Sequence, residues 1–117
     1  MSTENIQLHT KTHVSDIAVT TLERALAVKP DSAEVNYFLG EAYLEVKKGS
    51  KAVVYFYEAL RIAPKSMADA HLRLALLYHA AGYKDRAAAE YEQFLAKRPD
   101  YKNKEKLLQY IKENKKP

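Results

Sequence analysis

Residues Leu39 to Tyr43 read LGEAY, and residues Leu74 to Tyr78, 35 positions later, read LALLY. The same offset links further positions on both sides of these two stretches. A register held over that length indicates one structural unit written twice, which is the signature of a repeat architecture. The matched positions are Leu39, Gly40, Tyr43, Ala52, Phe56, Ala59 and Pro64 in the first repeat, and Leu74, Ala75, Tyr78, Ala87, Tyr91, Phe94 and Pro99 in the second.

Three prolines, Pro30, Pro64 and Pro99, close successive repeats at separations of 34 and 35 residues. Proline cannot extend a preceding helix and disfavours the helical conformation in the residue before it, so each one marks a helix end. Between these marks, apolar residues recur at spacings of three and four, which predicts amphipathic helices. Each repeat is therefore a helix, a turn and a helix, with helices predicted over residues 33–46, 52–62, 68–80 and 86–97.

Glycines and small polar residues predict where these helices end and begin. Gly49 indicates the break inside the first repeat, and Gly82 suits a left-handed backbone at the corresponding helix end of the second. Capping boxes are predicted at two helix starts, from Ser66 with Asp69 and, as a weaker match, from Asp31 with Glu34.

The register resembles that of the tetratricopeptide repeat family. The family's pattern of an aromatic or polar residue, Leu-Gly, Tyr, Ala, an aromatic, a small residue and a closing Pro is met in the first repeat. The second repeat departs from it conservatively, and neither repeat has the Trp that often opens the pattern. The pentatricopeptide family, which binds RNA, has a similar period, but the Leu-Gly, Tyr, Ala and Pro positions favour the tetratricopeptide family. The residues that carry the resemblance are Asn36, Leu39, Gly40, Tyr43, Ala52, Phe56, Ala59 and Pro64, followed by His71, Leu74, Tyr78, Gly82, Ala87, Tyr91 and Pro99.

The resemblance implies an all-α fold, an α-solenoid of antiparallel helix pairs wound as a right-handed superhelix. Residues 16–99 form the predicted array, with a partial repeat over 16–30 and full repeats over 31–64 and 65–99. Residues 1–15 do not fit the pattern and are predicted to be a weakly structured or degenerate segment. Residues 100–117 are predicted to be a C-terminal capping helix and basic tail, with Leu107, Leu108, Tyr110 and Ile111 packed inward.

Composition excludes several classes of protein. The chain has 117 residues, the length of one ordinary domain, and no cysteine, which excludes a disulfide framework and thiolate chemistry. It lacks a secretory signal and any run of about 20 apolar residues that would cross a bilayer. We expect a cytoplasmic protein without membrane contact for the chain as given, with the compartment left open for a longer or exported parent protein.

Charge is concentrated at the C-terminal end. Residues 97–117 carry a net charge of +5, whereas residues 1–96 carry −1. The alternative that this basic helix binds nucleic acid is disfavoured, because aromatic side chains for base stacking are limited to Tyr101 and Tyr110. The favoured interpretation is an amphipathic helix with a solvated lysine face.

The sequence nominates no catalytic, cofactor or metal site, and we predict that the protein is not an enzyme. His9 and His13 have the spacing of a helical metal pair, but the glutamate of the metalloprotease motif is missing. His71 and His79 lie in predicted helices and are interpreted as structural histidines with satisfied hydrogen bonds. No glycine-rich phosphate loop and no closely spaced carboxylate pair is found.

The predicted function is that of a protein-interaction module or scaffold, since stacked helix pairs present a concave groove. Tyr37, Leu44 and Leu76 are the expected exposed anchors, whereas Phe38 and Leu72 fit the core equally well. Acidic residues outnumber basic ones among the groove positions, which predicts a partner peptide or helix that carries spaced apolar residues together with Lys or Arg. By resemblance, the groove positions are Glu34, Tyr37, Phe38, Glu41, Leu44, Glu45, Asp69, Leu72, Arg73, Leu76 and His79.

The incomplete first repeat predicts an uncovered apolar edge. The helix over residues 16–28 carries Ile17, Leu22 and Val28, but the segment before it is a weak candidate for a packing partner. Such an edge favours self-association, so a homodimer at raised concentration, or further chain in a longer protein, is expected.

Overall fold

The computed structural model describes the backbone of residues 3–117 and the side chains from Ser15 onward. Within that part of the chain, the secondary structure consists of six α-helices that pack as consecutive antiparallel pairs, which confirms the predicted all-α class. The chain divides into an N-terminal unit, Met1–Ile62, and a C-terminal unit, Ala63–Pro117. The helices are α1 (Thr3–Val28), α2 (Ala33–Glu45), α3 (Gly49–Ile62), α4 (Ala68–Ala81), α5 (Lys84–Lys97) and α6 (Lys104–Asn114).

In the N-terminal unit, α2 packs against both α1 and α3. Leu39 of α2 and Phe56 of α3 are fully buried at the centre of the pair. Gly40 allows the two helices to approach closely, because a Cβ atom at this position would lie 2.7 Å from the Phe56 ring. The core therefore uses the small and aromatic positions that define the repeat pattern.

In the C-terminal unit, α5 packs against both α4 and α6. Ile111 of α6 is buried in a cluster with Ala75, Ala87, Ala88 and Tyr91, against which Leu107 and Tyr110 also pack. Helix α6 thus covers the apolar face of the pair, as expected of a capping helix.

The prediction that Leu108 packs inward is wrong. Its side chain is 46% exposed. The buried residue Ile111 and the partly buried Leu107 and Tyr110 are spaced by three and four, so they share one helix face, and Leu108 is rotated by about 100° from Leu107.

The α2–α3 turn differs from the prediction that placed its break at Gly49, which is already the first residue of α3. The left-handed residue is Lys47, with φ of 61°, and the Lys48 N–H donates to the Tyr43 carbonyl at 2.8 Å. Gly82, 35 positions after Lys47, has φ of 86°, which confirms its predicted role at the end of α4. The two repeats use the same C-terminal helix cap, but only the second places glycine there.

Neither predicted capping box begins its helix. The N-cap of α2 is Ser32, whose hydroxyl accepts from the Val35 N–H at 3.2 Å, so Asp31 lies one residue too early. The N-cap of α4 is Met67, which makes no side-chain capping bond. The helix begins at Ala68, two residues after the predicted cap Ser66, and the carboxylate of Asp69 pairs with Arg98, the residue after α5, at 3.5 Å.

Helix α1 begins at Thr3, so its backbone continues through most of the segment predicted to be weakly structured. The His9 and His13 side chains lie outside the described residues. No helix in the described chain has the length and apolar character that a membrane crossing requires.

Candidate partner-binding surfaces

The predicted partner-binding residues of α2 share the side of the helix that faces away from the core residues Leu39 and Tyr43. Glu34 and Glu45 are exposed, while Glu41 is half-buried. Helix α2 contains these three acids and no Lys or Arg, so its outer face has a formal charge of −3. Spacing by seven and four residues places the carboxylates along one face of the helix.

The aromatic residues on this face differ in depth. The Phe38 ring is 51% exposed, so it belongs to the surface, although the sequence fitted a core position equally well. The Tyr37 ring is half-buried, with its centroid 5.6 Å from that of the core residue Phe56 and 5.9 Å from that of Phe38. Leu44 is half-buried as well. Phe38 is therefore the main exposed apolar residue of this face, and the half-buried Tyr37 ring contacts both Phe38 and the core residue Phe56.

The corresponding face of α4 in the C-terminal unit has a different character. Leu76 is 46% exposed, as expected of an anchor, whereas Leu72 packs partly against the core cluster of its unit. The Asp69 carboxylate is paired with Arg98. Arg73 is half-buried. The α4 face thus offers an apolar contact with much less net acidity than the α2 face.

His79 belongs to an aromatic cluster rather than to a chemically active site. Its Nδ1 lies 3.2 Å from the Tyr91 hydroxyl, and its ring centroid lies 4.5 Å from that of Tyr110. The Tyr110 hydroxyl is buried and has no hydrogen-bond partner among the described residues. Burial raises the pKa of both tyrosines above the ordinary value, and for Tyr91 the neighbouring Tyr110 adds to this effect.

His71 is a structural histidine, as predicted. Its buried Nδ1 lies 3.0 Å from the Glu90 carboxylate, its Nε2 lies 2.9 Å from the Lys97 ammonium, and Lys97 also donates to the Pro64 carbonyl. In the first repeat, Asn36 occupies the position of His71 and donates to the Pro30 and Ser32 carbonyls. Asn36 therefore ties the start of α2 to the preceding turn directly, whereas His71 joins α4 to α5 and is linked to the preceding turn only through Lys97. Among the described residues, no three potential ligands come together as a metal site.

The basic C-terminal end provides little for nucleic-acid recognition. Lys115 pairs with Glu92 at 2.7 Å, and Lys116 with Asp85 at 3.7 Å. Both aromatic candidates for base stacking are engaged inside the unit, because Tyr101 contacts the Phe94 ring at a centroid distance of 4.9 Å and Tyr110 packs in the core cluster. Base stacking needs an exposed ring face, so this surface is a poor match.

An open cleft of about 570 Å³ in the N-terminal unit was not foreseen from the sequence. The Tyr43 hydroxyl donates to the Glu23 carboxylate within it, and this bond, with burial, raises the pKa of Tyr43 to about 12. One signal of this cleft was present in the sequence. Two of its lining residues, Leu26 and Tyr55, differ in chemical type from the residues 35 positions later, Arg61 and Glu90. The cleft is lined by Glu23, Leu26, Pro30, Tyr43, Lys51 and Tyr55.

Comparison with protein-family models matches the same family to two consecutive parts of the chain. One family model, described as tetratricopeptide repeat, matches residues 15–67, and a second model with the same description matches residues 68–101. No curated protein matches the sequence.

The solved structures that are similar to the chain include two crystal structures of MamA. The first is 26% identical with a TM-score of 0.73, and the match covers 83% of this chain and 51% of that one. The second is 24% identical with a TM-score of 0.70, covering 86% of this chain and 66% of that one. The chain thus spans between half and two thirds of the length of the solved structures that it resembles.

Proposed function

Since the chain belongs to the tetratricopeptide repeat family, whose repeats are generally protein–protein interaction modules, we propose that it binds a partner protein through the outer face of α2. The partner segment is extended or helical and carries spaced apolar residues together with Lys or Arg. The repeats are non-catalytic in this family as a rule, so the chain serves as a scaffold for that segment.

The observation that carries this proposal is the composition of the α2 face. An exposed aromatic ring, Phe38, lies between the exposed carboxylates Glu34 and Glu45 on a helix that contains no cation. Burying such a ring under a partner supplies affinity, because aromatic side chains are the commonest strong anchors of interfaces. The carboxylates attract basic segments and reject acidic ones, which governs partner choice and the rate of association.

The α4 face in the C-terminal unit also offers a surface for partner binding, but through apolar area rather than through charge. Leu76 offers apolar area, but the Asp69 carboxylate is already paired within the unit. We therefore assign charge selection to α2 in the N-terminal unit, and we treat Leu76 as a separate apolar contact of the C-terminal unit.

Selection of displayed peptides on the purified chain tests the proposal. We expect the recovered peptides to carry Lys or Arg near apolar residues, and to be lost when the selection is repeated on the double variant Glu34→Lys, Glu45→Lys. The matched control is Asp100→Lys, Glu105→Lys, which makes the same charge change at exposed positions of the C-terminal unit. Recovery of acidic peptides, or equal loss with the control, would contradict the proposal.

We also propose that the edge of α1 supports self-association. Ile17 is 51% exposed and Val28 is 88% exposed. Sedimentation equilibrium over a wide concentration range should give a dimer whose dissociation constant rises in the Ile17→Ser variant. A strict monomer at all concentrations would remove this part of the proposal.

A further inference from the structure

The cleft in the N-terminal unit contains two opposite charges that do not pair with each other. Glu23 and Lys51 both line it, yet within the described residues neither one forms an ion pair. The Lys51 ammonium lies 5.4 Å from the centroid of the Tyr43 ring. A carboxylate and an ammonium that line one cleft without pairing with each other can each contact a bound ligand.

The Glu23 carboxylate is held in place by its own unit. The Tyr43 hydroxyl donates to one of its oxygens, and the Tyr43 ring is almost fully buried, so this oxygen has a fixed position. The second carboxylate oxygen has no partner among the described residues. A carboxylate oriented in this way can receive a charged donor without first losing side-chain freedom.

Two stacked rings form an aromatic wall of the cleft. The rings of Tyr43 and Tyr55 are stacked at a centroid distance of 5.5 Å and an interplanar angle of 10°. Both rings line the cleft, and Tyr43 is almost fully buried whereas Tyr55 is half-buried. A planar cation gains from contact with a tyrosine face of this kind.

The second repeat provides an internal comparison that separates this cleft from ordinary repeat packing. The pair of Lys51 over Tyr43 recurs 35 positions later as Arg86 over Tyr78, so that contact is part of the repeat. The carboxylate differs: Glu58, the counterpart of Glu23, is bound by Arg61 of its own helix at 3.0 Å. The counterpart of Arg61 in α1 is Leu26, so Glu23 has no ion-pair partner among the side chains that the structure describes.

We propose that this cleft binds an arginine side chain of a partner chain, with the guanidinium paired to Glu23 and stacked on Tyr55. Lys51 at the rim then takes a carboxylate that follows the arginine in the partner. Arginine fits better than lysine, because its planar fork pairs with a carboxylate through two hydrogen bonds and also stacks on aromatic rings. The volume of about 570 Å³ lies within the range of small-ligand sites and accommodates a side chain with its neighbouring residue.

This site is distinct from the α2 face that carries the proposed function. Tyr43 lies on the side of α2 packed against its neighbours, whereas Glu34, Phe38 and Glu45 lie on the opposite side. Loss of one activity therefore leaves the other intact, and Phe38→Ser serves as the variant that disables only the α2 face.

The test is a titration of the full chain with the peptide acetyl-Ala-Arg-Asp-Ala-amide, followed by NMR of the Tyr43 and Tyr55 ring signals. We expect saturable shifts of both rings with Kd on the order of 1 mM, since few atoms are buried. The peptide with Gln in place of Arg should bind at least ten-fold more weakly. Acetyl-Arg-amide, which lacks the neighbouring carboxylate, should bind several-fold more weakly, and equal binding would overturn the role of Lys51.

Protein variants complete the test. Glu23→Gln keeps an acceptor for the Tyr43 hydroxyl but removes the charge, so affinity should fall at least ten-fold while the circular dichroism stays unchanged. Glu58→Gln, the matched control 35 positions later, and Phe38→Ser should bind the peptide as the wild type does. If Glu23→Gln loses helicity, the Arg-to-Gln comparison on the wild-type chain decides alone. Absence of saturable ring shifts at about ten times the expected Kd, or equal binding of the Gln peptide, would overturn the proposal.

Discussion

The contact between Gly40 and Phe56 allows a sharp prediction about the N-terminal unit. A Cβ atom at residue 40 would lie 2.7, 2.8 and 2.9 Å from three atoms of the Phe56 ring, closer than real Cβ atoms come to their neighbours. The ring is fully buried and packs against Tyr37, so it has little room to move. Overpacking of this kind costs about 1–3 kcal/mol. Alanine regains about 1 kcal/mol of helix propensity. We therefore expect Gly40→Ala to lower the free energy of unfolding by up to about 2 kcal/mol.

Urea unfolding followed by circular dichroism measures this change, and a double-mutant cycle assigns it to the contact. In a Phe56→Leu background the clash is absent, so Gly40→Ala should become neutral or stabilising. Ala75→Gly, at the equivalent position of the second repeat, serves as the control and should destabilise through helix propensity and lost packing alone. A stabilising Gly40→Ala in the wild type, or the same loss in both backgrounds, would refute the reasoning.

Four further changes test other contacts. Lys47→Gly should raise the unfolding free energy by about 1 kcal/mol, because a non-glycine residue is strained at the observed φ of 61°; an unchanged urea midpoint would contradict this. Tyr110→Phe should raise the melting temperature, because it removes a buried hydroxyl that has no hydrogen-bond partner among the described residues, and burying such a group costs about 1–3 kcal/mol; a lower melting temperature would indicate a hidden partner. His71→Ala should cost about 2–4 kcal/mol in urea unfolding, because it leaves the buried Glu90 carboxylate without this partner; a change within 0.5 kcal/mol, about the scatter of surface substitutions, would show that the pair is dispensable. Tyr43→Phe tests the raised pKa of about 12, which implies stabilisation that is complete below pH 10 and is lost as pH rises through 12. The difference in unfolding free energy between wild type and Tyr43→Phe should therefore be constant below pH 10 and shrink above it, and a difference that grows there would have the wrong sign.

The helix pairs were predictable from the sequence because their signals are local and repeated. The 35-residue register fixed the pairing of helices, and apolar spacing located their packed faces. Helix starts were less predictable, since several small polar residues compete as caps within one turn of chain. At the start of α2, for example, the N-cap is Ser32 and not the predicted Asp31. The Lys47 turn was missed because the nearby Gly49 looked like the more permissive residue, whereas the backbone reverses two positions earlier.

The candidate surfaces were predictable in part. Glu34 and Glu45 were assigned to the α2 face through the resemblance to the repeat family, and both are exposed on α2. The relative depth of Tyr37 and Phe38 was not predictable, because it depends on how the α2–α3 contact rotates one ring toward Phe56. The cleft could not be found from local pattern, since it joins Glu23 and Tyr43, which are 20 positions apart on different helices.

The most direct test of the proposed function is the NMR footprint of a display-selected basic peptide on the full chain. We expect the largest shifts at the Phe38 ring and the Leu44 methyl groups, and we expect them to vanish in Glu34→Lys, Glu45→Lys. A footprint confined to α6, or one that survives that double variant unchanged, would contradict the assignment of partner binding to the α2 face.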